Sequence, residues 1–294
     1  MDNAYDGLTD AGEEKHWAFG TGFTDALTGV GRDIPAVDRE ALTAYCLMLG
    51  DDALIYSQRL AEWCSRAPEL EEDVALANIA LDLLGQARLL LSRAAEVEGA
   101  GRDEDALAYL RDERAFRNVR LAEIDCGPGP GGDFGTTIAR LLVFSTWRLA
   151  LLQRLVGSAD PVLAAVAAKG VKELAYHRDH AAQWVLRLAG GTEYSRERIV
   201  EGLATVWAFT DELFATHPVE AALPGVAVDP AALRAEFDQV IGTVLTASGL
   251  ERPETRQVAP LAGQSGRDGI HTEAMGFLLA EMQHIARSMP GAVW

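Results

Sequence analysis

The sequence predicts an all-α fold, and three observations carry that prediction. Apolar residues recur at three- and four-residue steps over long stretches, Pro and Gly gather in a few short breaks between them, and no alternating run bounded by hairpin turns occurs. With 294 residues, 49% of them apolar, the chain can fill a substantial core.

Residues 1–35 are rich in Gly, Asp and Thr with no sustained period, which predicts a tail that is loose or laid against a partner. Residues 36–294 are expected to form a single helical domain. The first long helix follows Val37, where Leu42, Tyr45, Leu49, Ala53, Tyr56, Leu60 and Trp63 fall at helical intervals, and "SRAP" ends it. Pro68 suits the first turn of a second helix, and Glu69, Glu71, Glu72 and Asp73 suit its dipole. That helix should run to about Glu98. Leu70, Ala77, Leu84 and Leu91 stand seven apart in it, with Val74 and Leu81 between, so it is apolar on more than one face, as a central bundle helix would be. A shorter charged helix is expected over roughly Glu104 to Glu123, and "DCGPGPGGDFG" then makes the clearest loop.

A third long helix spans "TTIARLLVFSTWRLALLQRLVG". Asp160-Pro161 opens a fourth that reaches Ala189, and Gly190-Gly191 closes it. Further helices are expected over Arg196–Ala215 and Ala231–Ala247, and a last one from about Ile270 to Ser288. In that last helix Met275, Leu278, Met282, Ile285 and Met289 form one apolar stripe, facing either this chain's core or a partner. Two long helical hairpins with additional C-terminal helices is the order of the ferritin-like carboxylate bundles.

A formal charge of −18 argues against nucleic acid and anionic membranes as partners and favours a basic one. Cys46, Cys64 and Cys126 make no C-x-x-C pair, so a reducing cytoplasm is expected. The opening residues lack the basic and apolar regions of a signal peptide, and no stretch has the unbroken apolar length of a membrane span.

A di-iron bundle needs a Glu from each of two helices and a Glu-x-x-His from each of the other two, because hard oxygen ligands must neutralise two cations. The matching segments are "DLLGQ" (82–86) and "ELAYH" (173–177). In that register Leu83 and Leu174 occupy the carboxylate slots, and Gln86 and His177 the imidazole slots. Asp82 and Glu173 lie one residue earlier. The third long helix has no Asp or Glu between Thr136 and Ser158, only Arg140, Arg148, Gln153 and Arg154 among its long polar side chains, so one obligatory carboxylate has no source. Asp51, Asp52 and Glu62 of the first helix are expected to be solvated charges. Glu173 and His177 are read as an intrahelical pair, with an arginine of the acid-free helix as a candidate buried partner in place of cations, and His180 as a surface or interface histidine. No metal, cofactor or catalytic residue is assigned to this chain.

The segments "LGDDALIYSQRLAEWCSRAPELEEDVALANIALDLLGQARLLLSRAAE" (49–96), "KELAYHRDHAAQWVLRLAGGTE" (172–193) and "GIHTEAMGFLLAEMQHIARSMPGAVW" (269–294) resemble the C subunits of bacterial phenylacetyl-CoA epoxidases. The resemblance implies a multicomponent monooxygenase of phenylacetate catabolism. A homologous A subunit holds the di-iron centre and the phenylacetyl-CoA. A small B subunit helps assembly, and a reductase with flavin and an iron–sulfur cluster delivers electrons from NADPH. The C subunit is then a ferritin-like relative of the A subunit that lost its ligands and supports it structurally, in agreement with Leu83, Gln86 and Leu174. The acidic composition adds that the chain is a poor general receptor for a coenzyme A thioester, whose phosphates favour Arg, Lys or helix N-termini. The alternatives are a ferritin-like oxidase or ferroxidase with its own non-standard metal site, and a stand-alone helical binding module.

Overall fold

The computed structural model describes residue 27 and residues 29–129 and 132–290. Among these there is no strand, only an isolated bridge between Leu261 and Gln264. Two hairpins of long helices form the bundle: α1 (Arg39–Ala61) with α2 (Leu70–Glu98), and α5 (Phe134–Leu155) with α6 (Pro161–Gly190). Between them lie the short helices α3 (Glu104–Tyr109) and α4 (Arg120–Glu123). After α6 come α7 (Glu193–Trp207), α8 (Pro218–Ala221), α9 (Arg234–Ser248) and α10 (Glu273–Ser288).

Side-chain caps fix the starts of three of the four long helices. Asp38 accepts from the N–H groups of Glu40 and Ala41, Asp133 from Thr136, and Asp160 from Val162 and Leu163, each satisfying donors that the first turn leaves open. Gly99, at φ 70°, closes α2 in the left-handed conformation that suits a glycine. The hairpins meet where Tyr56 packs on Phe144 at 4.4 Å and the Trp63 indole donates to the Thr137 hydroxyl at 3.1 Å. Because α7 and α9 cover its outer side, α5 is buried almost all round, which its uniformly apolar sequence requires.

The structure departs from the sequence expectation at several places, each for a local reason. The expected helix over 104–123 is broken into α3, a 3₁₀ turn at Glu113–Ala115 and α4. Asp51 and Asp52 capture the backbone N–H groups of Arg117 and Val119, which holds that segment extended. Those two aspartates are fully buried, not solvated. The expected helix over Arg196–Ala215 ends at Trp207, where Thr210 and its neighbours turn into a 3₁₀ segment at Asp211–Phe214. The described part of the supposed tail lies on the bundle, because the Arg93 guanidinium, anchored by Asp160, donates to the carbonyls of Arg32 and Asp33. The rest of that tail, residues 1–26 and 28, lies outside the described residues.

A further departure is the seven-residue row on α2. Leu70 is 76% exposed and Leu91 only 2%. An α-helix drifts by about 20° per heptad against a strict seven-residue repeat, so the row winds from solvent into the core. α2 also has the length and composition of a membrane-spanning helix, although less than half of the qualifying stretch is buried.

Another is the apolar stripe of α10. Met275 and Leu278 are buried and Met282 is half-buried, whereas Ile285 and Met289 are exposed. Leu279 and Gln283 take the inner face instead, with the Gln283 amide donating to the carbonyls of Ala108 and Arg111. Met275→Ala is expected to cost about 2 kcal/mol or more and Ile285→Ala about 0.5 kcal/mol or less, as measured by denaturant unfolding.

The entry to α10 is held by Glu123. Its carboxylate accepts from the Thr272 N–H and from Nδ1 of buried His271 at 2.6 Å, which keeps residues before Glu273 out of the helix expected from Ile270. The other ring nitrogen, Nε2, faces the Phe116 carbonyl at 3.3 Å, so both nitrogens meet acceptors, an arrangement that favours the imidazolium form, in which both donate. Burial opposes that charge, but the bonds and field of Glu123, the Phe116 carbonyl and Glu113 prevail and raise the His271 pKa above its ordinary 6.5. A pKa raised on folding stabilises the fold fully below the ordinary value, and the contribution is lost as pH rises through the folded value. Stability is therefore expected to fall from about pH 6.5 upward, and His271→Asn should remove that segment of the pH profile in thermal unfolding. Parallel profiles for the two proteins would refute the assignment.

Candidate functional site

The site to test lies between the hairpins, where α2 and α6 present the segments of ligand-like spacing. Leu83 and Leu174 are both fully buried and offer no donor atom. Gln86 and His177 are also inside, but each is committed to a partner. The Gln86 amide donates to Glu173 Oε2 at 2.9 Å, and its carbonyl accepts from Arg148 Nε at 3.1 Å. His177 Nε2 lies 3.0 Å from Asp82 Oδ2.

Glu173 and His177 are thus not an intrahelical pair. Each reaches across to α2, because residues three and four apart on α6 share the face that packs against it. The arginine expected from the acid-free helix is present as Arg148, fully buried on α5. Besides Gln86 it donates to the Leu49 carbonyl at 3.2 Å, and its Nη1 stands 3.9 Å from Asp52 Oδ2. Burial pushes the Arg148 guanidinium down to about 10, with Asp52 the chief opposing influence, so it stays charged at neutral pH. Arg140, one of the other candidates on that helix, is buried too and lies over the Tyr56 ring at 4.8 Å. Arg154 instead forms an exposed pair with Glu236.

Asp52 is the hub of the cluster. Arg267 grips its two oxygens at 3.0 and 2.9 Å, and the Val119 N–H adds a third bond at 2.8 Å. Burial is the largest influence on this carboxyl and pushes its pKa up, against the pull of Arg267 and Arg148. Asp51, its neighbour, is paired with Arg111. Glu62, the third acid of α1 considered, pairs with Arg59 at 2.7 Å. His180 is mostly buried, 3.1 Å from Glu72, with Tyr176 stacked on it. Sequence reasoning missed Arg267, Arg111 and the Glu123–His271 pair. Arg267 lies 215 positions from Asp52, and no local spacing could have linked them.

The donor set does not fit a di-iron centre. Among the described residues no group of three or more His, Cys, Asp or Glu is placed to hold a metal ion. Two slots are aliphatic, a third is a neutral amide, and the helix without carboxylates inserts a guanidinium that repels a dication.

Residues 30–294 match a family described as phenylacetic acid catabolic protein. The chain is also 46% identical, over 255 residues, to the C subunit of the 1,2-phenylacetyl-CoA epoxidase of Escherichia coli (strain K12); the match covers 86% of this chain and 99% of that relative.

Proposed function

The chain belongs to the phenylacetic acid catabolic protein family, and from that premise we propose that it is a structural, non-catalytic subunit of a multicomponent aromatic-ring monooxygenase acting on phenylacetyl-CoA. In this proposal the di-iron centre and the substrate belong to a homologous catalytic subunit, which this chain stabilises. The small B subunit and the flavin and iron–sulfur reductase complete a cytoplasmic, NADPH-dependent complex. One observation supports the structural role above the rest: Arg148, hydrogen-bonded to Gln86, brings a fixed cation into the bundle centre, so the core is held by internal ion pairs where a di-iron relative would use metal. The same observation speaks against the alternative of an oxidase or ferroxidase with its own metal.

Expression of this chain alone and with the other subunits tests the proposal through mass, iron content and turnover. Iron should track the catalytic subunit and be absent from this chain alone, and turnover should require both. Stoichiometric iron or oxidase activity in the isolated chain would overturn it.

A further inference from the structure

α2 carries a seven-residue row that the bundle absorbs only at its C-terminal end. At the other end, Leu70, Val74 and Leu81 are 76%, 53% and 62% exposed, with half-buried Ala77 between them. Single exposed aliphatics are ordinary, but these recur at steps of four, three and four along one face. That alternation is the spacing of a helix seam made to receive a second helix, knobs of one entering holes of the other.

The charges beside this stripe restrict what can cover it. Glu69 and Glu71 are exposed at its N-terminal end beside Arg66, the half-exposed Asp82 flanks Leu81, the exposed Arg88 beyond it is already paired with Glu104, and the chain as a whole carries −18. An anionic lipid surface is repelled by that flank, and a second copy would set two acidic ends and two like net charges together. An amphipathic helix whose apolar stripe is bordered by Lys and Arg satisfies both features. We propose that the exposed α2 stripe is the seat of such a helix from the catalytic subunit. The proposal rests on the structural-subunit reading above and adds the face and the chemistry of contact.

The test is co-purification and titration of the full chain with the co-expressed di-iron subunit, comparing the natural sequence with Val74→Asp/Leu81→Asp and with Phe277→Asp on α10. The α2 positions are exposed, so thermal unfolding of the free chain should be unchanged, while affinity should fall about 100-fold or more, as expected when two central apolar contacts are lost. Phe277→Asp, which alters an exposed aromatic on another helix, should bind normally. If the natural chain binds but the α2 variant binds within about threefold of it, or only the α10 variant loses binding, the α2 assignment is overturned and the structural-subunit reading stands. If the natural chain ignores the di-iron subunit, both are overturned. Self-association of the free chain, or sedimentation with phosphatidylcholine vesicles, that the α2 substitutions abolish would equally overturn the assignment, in favour of a second copy or a membrane.

Discussion

Arg267→Met is expected to lower the unfolding free energy by about 3–5 kcal/mol, far more than loss of an exposed pair such as Arg154–Glu236, for which about 1 kcal/mol or less is expected. The guanidinium grips both oxygens of Asp52 and also donates to the carbonyls of Met48 and Arg117, so one side chain joins α1, the segment before α4 and the turn before α10. Without it, Asp52 is a buried carboxylate whose nearest remaining cation is Arg148 at 3.9 Å. The cost comes mainly from stranding that charge and the Arg117 carbonyl, not from the pair being intrinsically strong. Asp52→Asn in the Arg267→Met background removes the stranded charge while keeping an oxygen for the Val119 N–H, and should recover part of the loss. Urea unfolding of the two variants checks this. A double variant no more stable than Arg267→Met would mean that Asp52 takes up a proton in the single variant.

What the sequence revealed and what it hid divide along the range of the interactions. Periodicity and caps gave the four long helices because helix formation depends on neighbours three and four residues away, as in the row from Leu42 to Trp63. The parallel segments around Leu83 and Leu174 were legible for the same reason, since a ligand slot is a register on one helix. Asp51 and Asp52 were misread because nothing nearby in sequence marks them: their partners Arg111, Val119 and Arg267 come from distant segments. The break in the 104–123 helix is the same error seen from its other side. There, local helical propensity yields to two buried carboxylates that need backbone donors.

The triple change Leu83→Glu, Gln86→His and Leu174→Glu writes both Glu-x-x-His motifs back into the chain, and it is expected to yield an unstable protein without a di-iron centre. Gln86 is the link between Glu173 and Arg148, so its loss takes an acceptor from the buried guanidinium and a donor from the carboxylate. The two new glutamates enter positions that are fully enclosed by packed side chains, where burial disfavours the charged form. Each must then take up a proton or destabilise the bundle by several kcal/mol, on the order of 3 or more. Metal could offset that cost only if it bound, but α5 still supplies no carboxylate, and Arg148 remains beside the slot as a competing cation. Anaerobic loading with ferrous iron, followed by iron analysis and thermal unfolding, should therefore find sub-stoichiometric iron and a lowered midpoint. Adding Arg148→Glu supplies the missing carboxylate and removes the guanidinium at once, so any gain in iron should appear only in the fourfold variant. Two irons per chain with undiminished stability in the triple variant would show that the guanidinium yields to metal, and that ion pairs are not what holds this core in place of it.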